Sequence, residues 1–210
     1  MSAMRRRDVL RLAAGAALMP LTRFGRAADR LATPSQMQGP FYPREFPADK
    51  DSDLTTFAGR DGVAFGQIVT VSGQVLDRDG RAQNNVQVEI WQVNGYGRYH
   101  HPSDSSSKPI DPNFQGYGTV LTDGEGRYRF RTVKPIAYPG RAPHIHFALT
   151  PVTGSQLVTQ MYVAGAAEND SDFLLNNIRD KAQRASLIVP FESVRGGGEL
   201  AGEFNIVLPG

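Results

Sequence analysis

The sequence predicts an all-β fold: a β-sandwich of mainly antiparallel strands with long loops and one short helix. Several short segments alternate apolar and polar residues with a period of two, which is typical of strands with one buried face. Glycine and proline are frequent, at 22 and 14 of the 210 residues, as expected for a chain with many turns. Only one segment shows helical periodicity, and many strands with almost no helix favour a sandwich.

The strand patterns follow one another from residue 68 to the end of the chain. In the first, Val69, Val71 and Val75 alternate with polar residues. The other predicted strands are 86–91, 127–133, 144–150, 157–163 and 203–208. The single helix is predicted over Ser171–Ala185, which begins with serine and aspartate and places its apolar residues on one side.

The composition excludes several classes of site. Cysteine is absent, which excludes a disulfide scaffold, thiolate zinc sites, iron–sulfur clusters and a cysteine nucleophile. The formal charge of +2 comes from the N-terminus, since six of the 23 basic residues but only one of the 21 acidic residues lie in the first 28 positions. The rest of the chain has 17 basic and 20 acidic residues, so we expect no surface for nucleic acid.

The first 28 residues are predicted to be a signal peptide rather than part of the fold. Arg5–Arg7 precede an uncharged run, Leu12–Thr22, that is too short to cross a membrane as a helix. A basic segment, an apolar segment and then small residues near Arg26 follow the order of a secretory signal, and the adjacent arginines are typical of the twin-arginine type. We therefore expect a periplasmic or secreted protein, with no stable membrane insertion of the mature chain. A helix lying on the membrane surface is the alternative.

The remaining chain divides into two parts. Residues 29–65 are polar and punctuated by proline and glycine, which predicts an irregular N-terminal arm lying over a core. Residues 66–210 contain all the predicted strands and form the predicted sandwich domain. Between residues 94 and 117 the connection is too long for a hairpin, and such loops are usually either functional or disordered.

Two of the four histidines form a His-x-His pattern in a predicted strand. Residues two apart in a strand point the same way, so His144 and His146 share one face, while Ile145, Phe147 and Leu149 share the other. With the apolar face in the core, both imidazoles are presented side by side within reach of one metal ion. The alternative is two polar residues on a solvated face. Since the spacing supplies no third histidine, the remaining ligands would be carboxylate or phenol oxygens.

A phenol ligand would indicate ferric iron. Holding a tyrosine as phenolate at neutral pH costs roughly 4 kcal/mol, because its pKa is about 10. A trivalent hard cation offsets this cost better than a divalent ion does. Two loops that carry tyrosines, Gly95–His101 and Tyr138–Pro143, are candidates to supply such ligands.

A series of motifs runs in one order along residues 33–163. They are Thr33–Gln36, Gly39-Pro40-Phe41-Tyr42, Val88–Gln92, Gly97–His100, Asp111–Phe114, Thr122–Thr132, Lys134-Pro135, Tyr138-Pro139, Arg141–Phe147 and Thr159-Gln160. Together they resemble the intradiol ring-cleavage dioxygenases, the family that includes catechol and protocatechuate dioxygenases. Several motifs in one order are far more specific than any one of them.

The resemblance implies a non-haem Fe(III) site and assigns roles to particular residues. The implied metal ligands are Tyr99, Tyr138, His144 and His146. Tyr138 would be the tyrosinate that leaves the iron when substrate binds. Arg141 matches an active-site arginine near the substrate ring, and Gln160 a polar residue behind the ligands. For Arg141 the alternative is a solvated cation in a turn, and for Gln160 a simple strand hydrogen bond.

The activity that the resemblance implies is cleavage of a catechol-type ortho-diphenol ring between its two hydroxylated carbons. The reaction would use O2 and give a cis,cis-muconate-type diacid. The partners would be a small aromatic diol and O2, and a homo-oligomer is compatible with the sequence. Residues 66–210 would be the catalytic domain, with the active site on its long loops. The chain departs from many relatives between Tyr138 and His144, where the loop is short and Gly140 replaces a bulky residue.

Two other interpretations of the same residues stand beside this one. A different metalloenzyme would use His144, His146 and a carboxylate such as Asp111 or Glu89 to hold Fe(II) or Zn(II). A non-catalytic β-sandwich would be a binding or structural module with a vestigial site.

Overall fold

The protein forms a β-sandwich of two five-stranded sheets, as the sequence predicts. This is a computed structural model that describes residues 30–209; the predicted signal peptide, residues 1–28, lies outside that range. The strands are β1 (Ile68–Leu76), β2 (Gln87–Trp91), β3 (Tyr117–Leu121), β4 (Arg127–Val133), β5 (His144–Thr150), β6 (Leu157–Val163), β7 (Ile188–Val189), β8 (Glu192–Ser193), β9 (Leu200–Glu203) and β10 (Ile206–Val207).

Antiparallel pairs predominate in the second sheet, whereas the first sheet has two antiparallel and two parallel pairs. In the first sheet, β1 pairs antiparallel with β4 and parallel with β9 and β10, and β8 joins β9 antiparallel. The second sheet has the order β3-β2-β5-β6-β7 and is antiparallel except for the pair β6–β7. Both sheets are therefore mixed, because short C-terminal strands return parallel to longer ones.

The hydrophobic core lies between the inner faces of the sheets. Ile145, Phe147 and Leu149 of β5 are fully buried there, together with Val71 of β1 and Phe130 of β4. Each such side chain contributes about 1.5–3 kcal/mol when it is buried. A shift of β5 by one residue would exchange its apolar residues for its histidines, so the core fixes which face the histidines occupy.

An irregular arm, residues 30–65, covers the outer face of the second sheet. It is tied to β6 by the hydroxyl of Thr159, which donates to the carbonyl oxygen of Pro34 at 2.8 Å. The arm explains why Glu89 and Trp91 are only 4% and 1% exposed, although they lie on the face of β2 that points away from the core.

The predicted helix over Ser171–Ala185 is wrong in its extent. A 3-10 turn (Ala167–Asp170) precedes two short helices, α1 (Phe173–Asn176) and α2 (Lys181–Ser186). Each helix begins at an aspartate, Asp172 or Asp180, whose side chain accepts backbone N–H groups of the first turn. Two N-caps in one segment start two helices rather than one. None of the helices described between residues 30 and 209 is long and apolar enough to cross a membrane.

The predicted last strand, residues 203–208, is also divided. β9 ends at Glu203 and β10 begins at Ile206. Between them, the backbone N–H of Phe204 donates to Ser72 O at 2.8 Å, and the side chain of Asn205 accepts from the N–H of Gln74 at 2.8 Å. The Asn205 side chain therefore replaces a backbone acceptor beside β1 and separates the two short strands.

Candidate metal centre

Strand β5 presents two imidazoles on its face away from the core, beneath the arm. His144 and His146 are 2% and 3% exposed. Trp91 stacks on His146, with ring centroids 4.8 Å apart. Gly39, with a φ of +76°, lies against the same ring, and a Cβ there would be 3.4 Å from His146 Cε1. The arm and β2 therefore hold His146 between them.

Two tyrosine hydroxyls complete a cluster with the imidazoles. The hydroxyl of Tyr99, from the loop after β2, lies 3.0 Å from His146 Nε2 and 3.5 Å from His144 Nε2. The hydroxyl of Tyr138, from the turn before β5, lies 3.5 Å from His144 Nε2. The two Nε2 atoms are 3.2 Å apart. The structure thus brings together the four residues that the resemblance assigned to a metal.

The arrangement fits a single metal ion. Two ligand atoms about 2.0–2.1 Å from one ion and at right angles lie about 3 Å apart. His144 Nδ1 is 2.6 Å from the carbonyl oxygen of Ala142, so Nδ1 carries the proton and Nε2 faces the cluster with its lone pair. His146 Nδ1 is buried with no hydrogen-bond partner among residues 30–209. Two imidazole nitrogens and two phenol oxygens form a donor set suited to a hard transition-metal ion.

Burial keeps the four donor side chains neutral in the metal-free protein. It lowers the pKa of His144 to about 3, assisted by the charge of Arg141. It also lowers the pKa of His146 well below the usual value, assisted by His144. Burial raises the pKa of Tyr99, assisted by the neighbouring Tyr138, and raises the pKa of Tyr138 although Tyr99 and Arg141 oppose it. Neutral imidazoles can bind a cation directly, whereas the phenols need a strongly charged ion to become phenolates.

The Arg141 guanidinium lies beside this cluster. Its Nη1 is 3.4 Å from His144 Nε2. Its Nη2 donates to Gln160 Oε1 at 2.6 Å and to the hydroxyl of Tyr162 at 3.2 Å, and its Nε donates to Asp172. Arg141 and Gln160 therefore touch each other at the donor cluster. Neither a solvated turn cation nor a simple strand hydrogen bond describes them.

The carboxylates of the alternative metal site are engaged elsewhere. Glu89 Oε1 accepts hydrogen bonds from the hydroxyls of Tyr42 and Tyr117, at 2.8 and 2.5 Å. Asp111 accepts the backbone N–H groups of Phe65 in the arm and of Asn113 in its own loop. Among residues 30–209, no three histidine or carboxylate side chains are grouped so that they could hold one ion. The geometry therefore favours phenol over carboxylate ligands.

Three residues of the site were not identified from the sequence. Trp91 and Tyr162 lie in predicted strands and Asp172 lies at the start of the predicted helix, but their sequence patterns indicated no role in the site for any of the three. Strand register is the signal that could have found the first two, because Trp91 pairs with His146 and Tyr162 pairs with His144. Asp172 reaches the site only through tertiary packing.

The comparisons place the chain among known dioxygenases. Residues 37–210 match the Dioxygenase_C family, described as Dioxygenase. The chain is 43% identical to the protocatechuate 3,4-dioxygenase beta chain of Burkholderia cepacia, over 81% of this chain and 77% of the relative. It is 29% identical to a catechol 1,2-dioxygenase of Candida albicans, over 77% of this chain but only 55% of that longer relative.

A solved structure gives the same result for the fold. The dioxygenase domain of a dioxygenase–carbohydrate-binding fusion from Streptomyces sp. SirexAA-E is 29% identical to this chain, with a TM-score of 0.66, and the match covers 84% of this chain and 97% of that domain. The chain belongs to the intradiol ring-cleavage dioxygenase family.

Proposed function

We propose that this protein is a non-haem Fe(III) dioxygenase that uses O2 to cleave a catechol-type ortho-diphenol between its two hydroxylated carbons, giving a cis,cis-muconate-type diacid. Tyr99, Tyr138, His144 and His146 would hold the iron. The observation that carries this proposal is the convergence of two neutral imidazole nitrogens and two phenol oxygens, in which His144 Nε2 lies 3.2–3.5 Å from each of the other three donor atoms.

The two tyrosines are suited to different tasks. Tyr99 is 3% exposed, its ring stacks on Phe41 at 4.4 Å, and its backbone N–H donates to Asp104 at 2.7 Å. Tyr138 is partly exposed and lies in a turn beside Gly140, where a Cβ would meet no atom within 4 Å. Tyr99 is therefore packed more tightly than Tyr138, so Tyr138 is the better suited of the two to leave a bound metal.

Ferric iron, when bound, would supply the Lewis acidity that holds both substrate oxygens as a catecholate and activates the ring towards O2. Tyr138 would then act as a base, because its phenolate oxygen can accept a proton from a substrate hydroxyl as the side chain moves away. Arg141 would stabilise negative charge that develops on the ring, since its Nη1 points at the donor cluster.

Oxygen uptake with a panel of ortho-diphenols tests this proposal. The iron-loaded protein should consume O2 with at least one of catechol, protocatechuate, hydroxyquinol or a chlorinated catechol. Mass spectrometry with isotopically labelled O2 should find both oxygen atoms in a ring-opened diacid. No uptake with any member, or an aldehyde product from cleavage beside the two hydroxyls, would contradict the proposal.

A matched pair of histidine variants ties the activity to the cluster. H146Q should lose iron and ring cleavage together, because it removes one of the four donors. His101 is also buried, but it lies in the loop after Tyr99, where its Nδ1 accepts the N–H of Ser103 at 3.0 Å. H101Q should therefore retain both properties, and equal activity in the two variants would refute the ligand assignment.

We also propose that residues 1–28 direct export to the periplasm or the medium by the twin-arginine route. The support is the order of Arg5–Arg7, the apolar run and the small residues that follow. Fractionation of cells that express the full chain with a C-terminal tag tests this. The wild-type chain should leave the cytoplasm, and a variant with Arg5–Arg7 replaced by lysine should stay there. Cytoplasmic retention of the wild-type chain would contradict export.

A further inference from the structure

Asp172 is a buried carboxylate whose two oxygens serve two different parts of the structure. Its side chain is 0% exposed. Oδ1 accepts the backbone N–H groups of Leu174 and Leu175, each at 3.0 Å, and so caps α1. Oδ2 accepts Arg141 Nε at 2.9 Å and the N–H of Ala142 at 2.8 Å. The carboxylate thus joins α1 to the turn that precedes β5.

Two of the three guanidinium nitrogens of Arg141 are held by other side chains, and the third, Nη1, faces the donor cluster. Asp172 accepts from Nε, while Gln160 and the hydroxyl of Tyr162 accept from Nη2. With two edges of the planar group held by the protein, the remaining nitrogen, Nη1, is directed at His144 Nε2, 3.4 Å away. These buried contacts therefore fix the orientation of the Arg141 guanidinium as well as the position of its charge.

A second path runs from Asp172 to the donor cluster through one peptide unit on each side of Ala142. The N–H of Ala142 donates to Asp172 Oδ2, and the carbonyl oxygen of Ala142 accepts from His144 Nδ1 at 2.6 Å. Since this second bond sets both the tautomer and the ring orientation of His144, displacement of Ala142 would turn the imidazole.

We propose that Asp172 is a positioning residue of the catalytic centre: it aims Arg141 Nη1 at the reacting atoms and fixes the ring of His144 through Ala142. This inference rests on the proposed function for its catalytic consequence. Its geometric part concerns only the side chains of this chain and can be tested without iron.

The substitution D172N isolates this role from helix capping. Asparagine is as good an N-cap as aspartate, so its oxygen can still accept the N–H groups of α1. Its amide nitrogen would then face Arg141 Nε and the N–H of Ala142. All three groups are hydrogen-bond donors, so the two hydrogen bonds that Asp172 Oδ2 accepts would be lost. Asp180 offers a matched control, because it caps α2 in the same manner by accepting the N–H of Gln183 at 2.9 Å. D180N makes the same chemical change at the other helix.

Two measurements are expected to separate D172N from D180N. In the iron-loaded enzyme, kcat for the best diol should fall about 10- to 100-fold in D172N, with a smaller change in KM, while D180N stays close to wild type. In the iron-free protein, NMR should show a slowly exchanging His144 Nδ1 proton in wild type and D180N. That signal should be shifted or lost in D172N. Thermal unfolding and circular dichroism should show that both variants are folded.

The double variant R141K/D172N tests whether Asp172 acts through Arg141. Lysine keeps the charge but lacks the forked contacts, so D172N should lower kcat by a smaller factor in the R141K background than in the wild type, and the loss that remains is that of the path through Ala142. Wild-type kcat in D172N, or an unchanged His144 proton signal, would overturn the positioning role. If the wild-type enzyme cleaves no ortho-diphenol, the proposed function fails, and the His144 signal in D172N still decides the positioning of the ring.

Discussion

The imidazoles of His144 and His146 are neutral because burial, not hydrogen bonding, dominates their environment. The sequence could predict that His144 and His146 share a face, because side chains alternate between the two faces of a strand and residues two apart point the same way. The roles of Tyr99, Tyr138 and Arg141 came from the resemblance, because a strand pattern says nothing about where a loop places its side chains. The contacts of Arg141 with Asp172 and Tyr162 could not be predicted, since they depend on how a distant helix packs.

The buried histidines should make the iron-free protein sensitive to acid. The pKa of His144 is lowered to about 3 and that of His146 also lies well below the unfolded value of about 6.5. Below pH 6.5 the unfolded chain therefore binds more protons than the folded one. The stability that the two neutral histidines contribute to the fold is complete above pH 6.5 and is lost as the pH falls towards 3. The free energy of unfolding should fall by up to about 1.4 kcal/mol per pH unit for each histidine.

Urea unfolding of the iron-free protein between pH 7 and pH 4 measures this loss. The free energy of unfolding should fall with decreasing pH in the wild type and less steeply in H144Q/H146Q. Identical slopes in the two proteins would show that these histidines are not held neutral by the fold.

At the level of elements, a glycine marks one place where strand prediction failed. β3 was not predicted, because Gly118 interrupts its apolar pattern. A Cβ at Gly118 would lie 2.5 Å from Asp51 O, so the approach of the arm requires glycine there. The strands with regular alternation were predicted, whereas the division of the last strand depends on the Asn205 side chain and was not.

Strand β1 contains a second close approach, at Gly73. A Cβ at this position would lie 1.9 Å from the carbonyl oxygen of Phe204, which also accepts the hydroxyl of Tyr128 at 2.5 Å. Backbone must move to admit even alanine, so G73A should lower the free energy of unfolding by about 2–3 kcal/mol. A Cβ added at Gly124 would meet no atom within 4 Å, so G124A should change the free energy of unfolding by less than about 0.5 kcal/mol. Equal effects in urea unfolding would contradict the packing of β1 on residue 204.

The arm is held to β2 by a buried carboxylate. Glu89 accepts the hydroxyls of Tyr42 from the arm and Tyr117 from β3. Y42F removes one of the two donors to a buried charge and should cost about 1.5–3 kcal/mol of unfolding free energy. Y96F is the control, since the ring of Tyr96 stacks on Phe65 outside this group, 4.3 Å between centroids. A Y42F protein as stable as Y96F would show that the arm does not depend on this contact.

Across the whole molecule, the site exists only where the sandwich, the arm and two loops meet. β5 supplies both imidazoles, the loop after β2 supplies Tyr99, the turn before β5 supplies Tyr138, and the arm seals the cluster above His146. The all-β sandwich could be predicted from periodicity and composition. The closure of the site by the arm could not, because residues 30–65 have no periodic pattern and gain their structure from the sheet beneath them.

Iron content and visible absorption of the purified protein test the central claim most directly. If Tyr99 and Tyr138 bind ferric iron as phenolates, the wild-type protein should contain iron and show a tyrosinate-to-iron charge-transfer band. Y99F should lose most of both, whereas Y96F should retain them. A colourless wild-type protein after reconstitution with ferric iron, or an unchanged band and iron content in Y99F, would contradict the account.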